Sequence, residues 1–185
     1  AMYHFNGNAE DSSGHEIHLA ASNVTYGKGR NNDSNSAIIF NGNNSQLKIT
    51  DNIFGNLAKF TATFWVKFNS FRGSPNEWST LIGGKASLMA DRNRIVFFAT
   101  NYATQGQKMT GNYKFNTETW YKIELIRDDS KFMIAVNDNL VADSWDRPNV
   151  SAGNIDSGSN YFGYFGVGNG GYTLHGAIDE ILVSN

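Results

Sequence analysis

An all-β sandwich of two antiparallel sheets is the fold this sequence predicts, on three observations. Apolar residues recur with period two, turn signals fall between the periodic runs, and no segment sustains a helical pattern. The clearest run is Phe60-Thr61-Ala62-Thr63-Phe64-Trp65-Val66-Lys67-Phe68, which puts Phe60, Ala62, Phe64, Val66 and Phe68 on one face. Tyr121 to Arg127 sets Ile123 and Leu125 opposite Lys122 and Glu124, and Phe132, Ile134 and Val136 alternate with Met133 and Ala135. These last two runs read as a hairpin closed by Asp128-Asp129-Ser130. Ser36 to Phe40, Arg94 to Ala99 and Tyr161 to Val167 supply further strands, with Asn41-Gly42, Asp91-Arg92-Asn93 and Asn137-Asp138-Asn139 as turns. Residues 68–80, 100–113 and 143–160 are left as long irregular stretches, where a rigid sandwich usually carries its binding surfaces.

Composition agrees with this and narrows the function. The 185 residues suffice for one domain with a full core, so 1–185 is read as a single domain. Nineteen glycines against 2 prolines, with abundant asparagine, suit many strands joined by tight turns. A net charge of −2 gives no electrostatic means of capturing nucleic acid or an anionic membrane. No apolar run approaches the length of a membrane span. Cysteine is absent, which removes disulfides and thiolate chemistry and suits an exported bacterial or phage protein. No leader is visible, and the chain reads as a module excised from a longer protein whose other domains would be its neighbours.

Two segments at opposite ends carry the sharpest chemical signal. Phe5-Asn6-Gly7-Asn8-Ala9-Glu10-Asp11-Ser12-Ser13-Gly14 is rich in side-chain oxygens, and Gly176-Ala177-Ile178-Asp179-Glu180-Ile181-Leu182-Val183 is an apolar strand interrupted by two acids. Strict alternation places Asp179 with Ile181 and Val183 on one face, and Ile178, Glu180 and Leu182 on the other. A carboxylate so close to a core needs a cation or several donors. If the fold joins its two ends, Asn6, Asn8 and Asp11 complete a calcium shell around Asp179, a structural Ca2+ tying the first and last strands. The alternative is that Asp179 accepts backbone N–H bonds and holds no metal.

The order of segments resembles the laminin-G-like, concanavalin A-like jelly-roll domains of secreted bacterial proteins. The resemblance is carried by Phe5 to Gly14, Ala37-Ile38-Ile39-Phe40-Asn41-Gly42, Phe60 to Phe68 with Trp65, Thr119-Trp120-Tyr121-Lys122, Val136-Asn137-Asp138, Phe165-Gly166-Val167-Gly168 and Gly176 to Ile181. It implies an antiparallel jelly roll of two curved sheets, often with a structural calcium, a secreted or cell-surface location, and roles in carbohydrate binding or adhesion. It also implies that Trp65 and Trp120 pack the core. Asn137-Asp138-Asn139 stands where the family usually has an Asp-Gly turn.

Function must come from the site, because this fold hosts lectins, hydrolases, lyases and inert spacers. Trp145 and Trp78 fall in polar stretches, and an aromatic platform beside Asn, Asp and Arg suits a sugar's C–H face and hydroxyls. Trp145, Trp78 and Tyr102, with Asn149 and Arg72 beside them, are therefore the expected ligand residues; the alternative is that the tryptophans cover the sandwich rim. The expected partner is a polysaccharide or cell-surface glycan. Catalysis is not expected: the E-x-D-x-x-E strand of jelly-roll glycosidases, the strands typical of alginate lyases and G-x-S-x-G are missing. Gly166-Val167-Gly168-Asn169-Gly170-Gly171 fits G-x-G-x-x-G but opens no helix, and His15 and His18 lack zinc-site spacing. The sequence thus predicts a non-catalytic carbohydrate-binding or adhesin module. A structural or protein-interacting spacer is the runner-up and a glycan-degrading enzyme the third reading.

Overall fold

The computed structural model describes the chain apart from residues 52, 55–56, 72–77, 85, 99–107, 130, 147–159 and 165–171; for residues 108 and 144–146 it describes the backbone alone. The described residues form strands and turns, without a helix. In chain order the strands are β1 (Met2–Tyr3), β2 (Leu19–Ser22), β3 (Thr25–Gly27), β4 (Ala37–Asn41), β5 (Gln46–Ile49), β6 (Lys59–Ser70), β7 (Ser79–Gly83) and β8 (Ser87–Ala90). They continue with β9 (Arg94–Phe98), β10 (Lys108–Asn112), β11 (Trp120–Asp128), β12 (Lys131–Val136), β13 (Asn139–Asp146), β14 (Asn160–Phe162) and β15 (His175–Ser184). An eight-stranded sheet runs β13-β12-β11-β6-β15-β4-β3 with β1 paired to β15, and a seven-stranded sheet runs β10-β9-β8-β7-β14-β5-β2. Every strand pairing among the described residues is antiparallel. This is the predicted sandwich.

The core forms where the period-two pattern said it should. Phe60, Ala62, Phe64, Val66 and Phe68 of β6 are at most 2% exposed. Ile123 and Leu125 of β11 and Phe132, Ile134 and Val136 of β12 join them in one cluster with Phe97, Phe162 and Ile178. Burying a side chain of this size is worth about 1.5–3 kcal/mol, so the inner faces dominate stability. The β11–β12 hairpin closes at Asp128 opposite Lys131, as expected. Asn137 and Asp138 both take positive φ (50° and 64°), the geometry a two-residue type I′ turn demands, so Asn-Asp replaces Asp-Gly without loss of the hairpin into β13.

Two expectations about tryptophan are corrected. Trp65 and Trp120 do not pack the core. Trp65 lies between Phe64 and Val66, and Trp120 beside Tyr121, so period two turns both outward and leaves them half-buried. Each is covered by a cation instead: the Arg30 guanidinium lies 4.9 Å from the Trp65 ring, and Lys67 Nζ lies 5.5 Å from the Trp120 ring. The stretch 143–160 is also less irregular than expected. β13 carries the backbone through Asp146, and Trp145 pairs with Phe132 at the edge of the eight-stranded sheet rather than lying in a loop.

Candidate functional site

The terminal strand β15 does not keep strict alternation. Asp179 pairs with Trp65 and Ile181 with the next residue back, Phe64, so Glu180 is an extra residue, at φ 44°. This is a β-bulge. It lets Ile178 and Ile181, both 0% exposed, face the core from the two sides of the bulge. Asp179 is thereby turned to the outer face beside Trp65, which corrects the expected grouping of Asp179 with Ile181 and Val183.

Asp179 is nevertheless 5% exposed, because the 28–36 loop between β3 and β4 folds over it. The Arg30 backbone N–H donates to Asp179 Oδ2 at 2.8 Å, and the Arg30 guanidinium pairs with Glu180. A Cβ on Gly29 would lie 2.4 Å from Ser36 Oγ and 2.6 Å from Asp179 Oδ2, so only glycine lets the loop press this closely on the carboxylate. Burial pushes the Asp179 carboxyl above the ordinary carboxylate value; the Arg30 N–H opposes that, and the neighbouring Glu180 charge adds to it.

Beside this carboxylate opens a pocket of about 240 Å3. Oxygen donors of Asn6, Asn31, Asp33, Ser36, Asp179 and Glu180 line it, with His4 and Arg30 at its wall. Among the described residues no three of His, Asp and Glu converge as a metal cluster. A cation here would therefore draw on amide, hydroxyl and carbonyl oxygens as well as carboxylate, the mixed hard-donor set that suits calcium rather than zinc.

A second surface lies on the outer face of the seven-stranded sheet. Met89, Val96 and Phe98, at most 4% exposed, form a cluster separate from the main core, and half-buried Trp78 and Tyr172 pack on it. Strand register orders the face in rows. Asn112 stands opposite Arg94, and the next row runs Thr110, Val96, Met89, Thr80. Arg94 lies 4.5 Å over the Trp78 ring, and its Nε donates to Asp91 Oδ2 at 2.7 Å. Asp91 Oδ1 accepts the Asn93 and Arg94 backbone N–H groups, so the carboxylate holds the β8–β9 turn and the guanidinium together.

The fold finds counterparts among known proteins. Residues 41–185 match the family described as the concanavalin A-like lectin/glucanases superfamily, Laminin_G_3. The chain belongs to this superfamily. No curated protein sequence matches it. Among solved structures it is similar to domain 4 of AbnA, an extracellular arabinanase from Geobacillus stearothermophilus solved with arabinotriose (18% identity, 99% of this chain and 90% of that one, TM-score 0.68). It is also similar to the binding domain of botulinum neurotoxin serotype C1 (13% identity, 98% and 47%, TM-score 0.66). A third is the CBM40 of the Ruminococcus gnavus IT-sialidase bound to α2,3 sialyllactose (14% identity, 69% and 76%, TM-score 0.55). At these identities the likeness establishes the fold. This chain spans about half of the botulinum domain.

Within this concanavalin A-like frame the expected site residues separate. Asn6 reaches the Asp179 pocket; Asp11 and Asn8 are not among its lining. The Asp11 carboxylate instead accepts hydrogen bonds from the Met2, Ser13 and Ile17 backbone N–H groups and from Ser13 Oγ. Burial alone would raise its pKa, but these bonds outweigh it and hold the carboxyl far below the usual carboxylate range. Asn8 Oδ1 caps the Glu10 N–H. Trp78 sits just before β7 under Arg94, packed on the apolar cluster rather than free-standing in a loop. Arg72, Tyr102, Asn149 and the Trp145 side chain lie outside the described residues. Sequence reasoning missed Arg30, Asn31, Asp33 and Ser36; their signal was a dense polar loop, Gly29-Arg30-Asn31-Asn32-Asp33, just before the strand Ala37 to Asn41.

Proposed function

We propose that this domain is a non-catalytic carbohydrate-binding module that works outside the cell as part of a longer protein, with a structural calcium ion between the 28–36 loop and β15. The observation that carries the glycan reading is the outer face of the seven-stranded sheet. There the Trp78 ring lies against exposed Arg94, with exposed Thr110 and Asn112 on the neighbouring strand in register, and Tyr172 packs on the same apolar cluster, so apolar rings share the face with a cation, a hydroxyl and an amide. Sugars offer both C–H faces and hydroxyls to such a mixture. That the arabinanase domain and the CBM40 were solved with glycans supports the reading.

The non-catalytic part rests on the acids. A glycosidase needs two carboxylates flanking the scissile bond, and none of the seven strands of this sheet contains Asp or Glu. Asp91, at its turn, already spends its oxygens on Asn93 and Arg94.

The calcium part rests on Asp179. Calcium would supply the charge that lets a buried carboxylate stay ionised, while Asn6, Asn31, Asp33 and Ser36 offer further oxygens. A glycan array read with and without chelator, followed by calorimetry on the hits, tests the proposal. Binding of one glycan class, weakened by Trp78→Ala, supports it. No ligand at millimolar concentration would leave the protein-interacting spacer as the reading, and release of free sugar from a bound polysaccharide would overturn the non-catalytic assignment.

A further inference from the structure

We propose that the Arg94 guanidinium is a recognition point for the carboxylate of an acidic sugar, a uronate or a nonulosonate residue of the bound glycan. This rests on the carbohydrate-binding reading above and names the class of ligand. The argument begins with how the guanidinium is held. Asp91 Oδ2 accepts from its Nε at 2.7 Å, and its Cζ lies 4.5 Å from the centroid of the Trp78 ring. Among the described residues its two Nη atoms have no partner, and the residue is exposed. The Nε side is therefore held and the group rests against the ring, while the Nη atoms stay open.

That geometry matches a carboxylate. Two parallel N–H donors in a planar fork engage both oxygens at once, and a guanidinium immobilised in advance loses little entropy on binding. Asp91 does not compete for the site, because its Oδ1 is occupied by the Asn93 and Arg94 backbone N–H groups and it is only 8% exposed. Asp91 also cancels the local charge, so recognition would depend on shape and bidentate bonding more than on long-range attraction.

The surroundings complete a sugar-sized site. Asn112, directly across the strand pair from Arg94, and Thr110, one row on, are exposed donors and acceptors for ring hydroxyls.

The test is isothermal titration of the purified domain with four probes: oligogalacturonate, sialyllactose, lactose and arabinotriose. The expected result is that at least one carboxylated probe binds about tenfold or more tightly than the neutral ones. Arg94→Lys keeps the charge but loses the fork, and Arg94→Gln loses both; the acidic probe should weaken about tenfold with the first and further with the second, while any neutral binding persists. Comparing the two acidic probes separates uronate from nonulosonate. Equal binding of acidic and neutral probes, or unchanged acidic binding by both variants at wild-type melting temperature, overturns the inference and leaves the carbohydrate reading standing. Preference for a sulfated oligosaccharide over the carboxylated probes also overturns it. Failure of every glycan, on a full array, refutes the carbohydrate reading itself. Should either Arg94 variant melt early, methyl-esterified oligogalacturonate with the wild-type protein makes the same test, since removing the carboxylate must remove the preference.

Discussion

Replacing Asp179 by Asn should abolish stabilisation by calcium without harming the metal-free protein. The carboxylate is 5% exposed and its pKa is raised, first by burial. A raised folded-state value means the folded protein prefers the protonated form. The stability this contributes is complete below the unfolded value, about pH 3.9, and is lost as pH rises through the folded value. Near neutral pH, in chelator, Asp179 is therefore a liability. Asparagine is neutral, nearly isosteric, and keeps an oxygen for the Arg30 N–H that now donates at 2.8 Å. The metal-free variant should accordingly melt at or above the wild type. Calcium at about one hundred times its dissociation constant stabilises a folded protein by about 2.7 kcal/mol. For a chain of this length that is a rise of roughly 5–11 °C for the wild type. The variant should gain less than about 2 °C on the same scale. Circular-dichroism melts of EDTA-stripped protein, with and without millimolar calcium, read both effects. Equal calcium shifts in the two proteins, or none in the wild type, would refute the metal assignment. A metal-free variant melting well below the wild type would refute the claim that the buried charge is unfavourable.

The remaining predictions concern the fold's ends. Asp11→Ala strands the Met2 and Ile17 N–H groups and should cost about 2–4 kcal/mol in urea unfolding, whereas a calcium-ligand role would show as a loss of calcium response instead. Because the Asp11 pKa is depressed on folding, its contribution is present above the unfolded value of about 3.9 and lost as pH falls below it; Asp11→Asn should flatten the acid limb of the stability profile there, and an unchanged limb counts against the hydrogen-bond account. Gly176→Ala would set a Cβ 2.0 Å from the Lys67 carbonyl oxygen and force β15 from β6, for a loss of about 3 kcal/mol or more; a melting point within a degree or two of wild type would show that the strands can part cheaply.

Period two made most of this fold readable from sequence. Where one face of a strand is buried, every second residue is constrained, and Phe60 to Phe68 or Ile123 to Val136 announce themselves. The same rule, applied one residue further, would have turned Trp65 and Trp120 outward; it was the family resemblance that pulled them toward the core. What stayed illegible were contacts set by loops. Nothing in the spacing of Gly29, Arg30 and Asp33 says that their loop closes over a carboxylate roughly 150 positions away, the separation at which the Arg30 N–H meets Asp179. Nor does the sequence of Asp91 to Arg94 reveal that its arginine will settle on a tryptophan across an adjacent strand.

The bulge at Glu180 shows why such a site resists prediction and how it is sustained. A non-glycine residue at φ 44° is strained, at a cost of about 1–3 kcal/mol that alternation alone would never incur. An unbulged β15 could bury either Ile178 or Ile181 with its neighbours, but not both, since the two are an odd number of residues apart. With the bulge, both isoleucines enter the core and Asp179 is left facing out under the loop. The strained residue is then held by the Arg30–Glu180 ion pair, while the same arginine covers Trp65 and its backbone N–H caps Asp179. One arginine thus anchors three consequences of a single inserted residue. Arg30→Ala should therefore disturb the calcium response and the stability together, whereas Asp179→Asn should disturb the calcium response alone. Separate loss of only one property in the arginine variant would show that the bulge and the pocket are not coupled through Arg30.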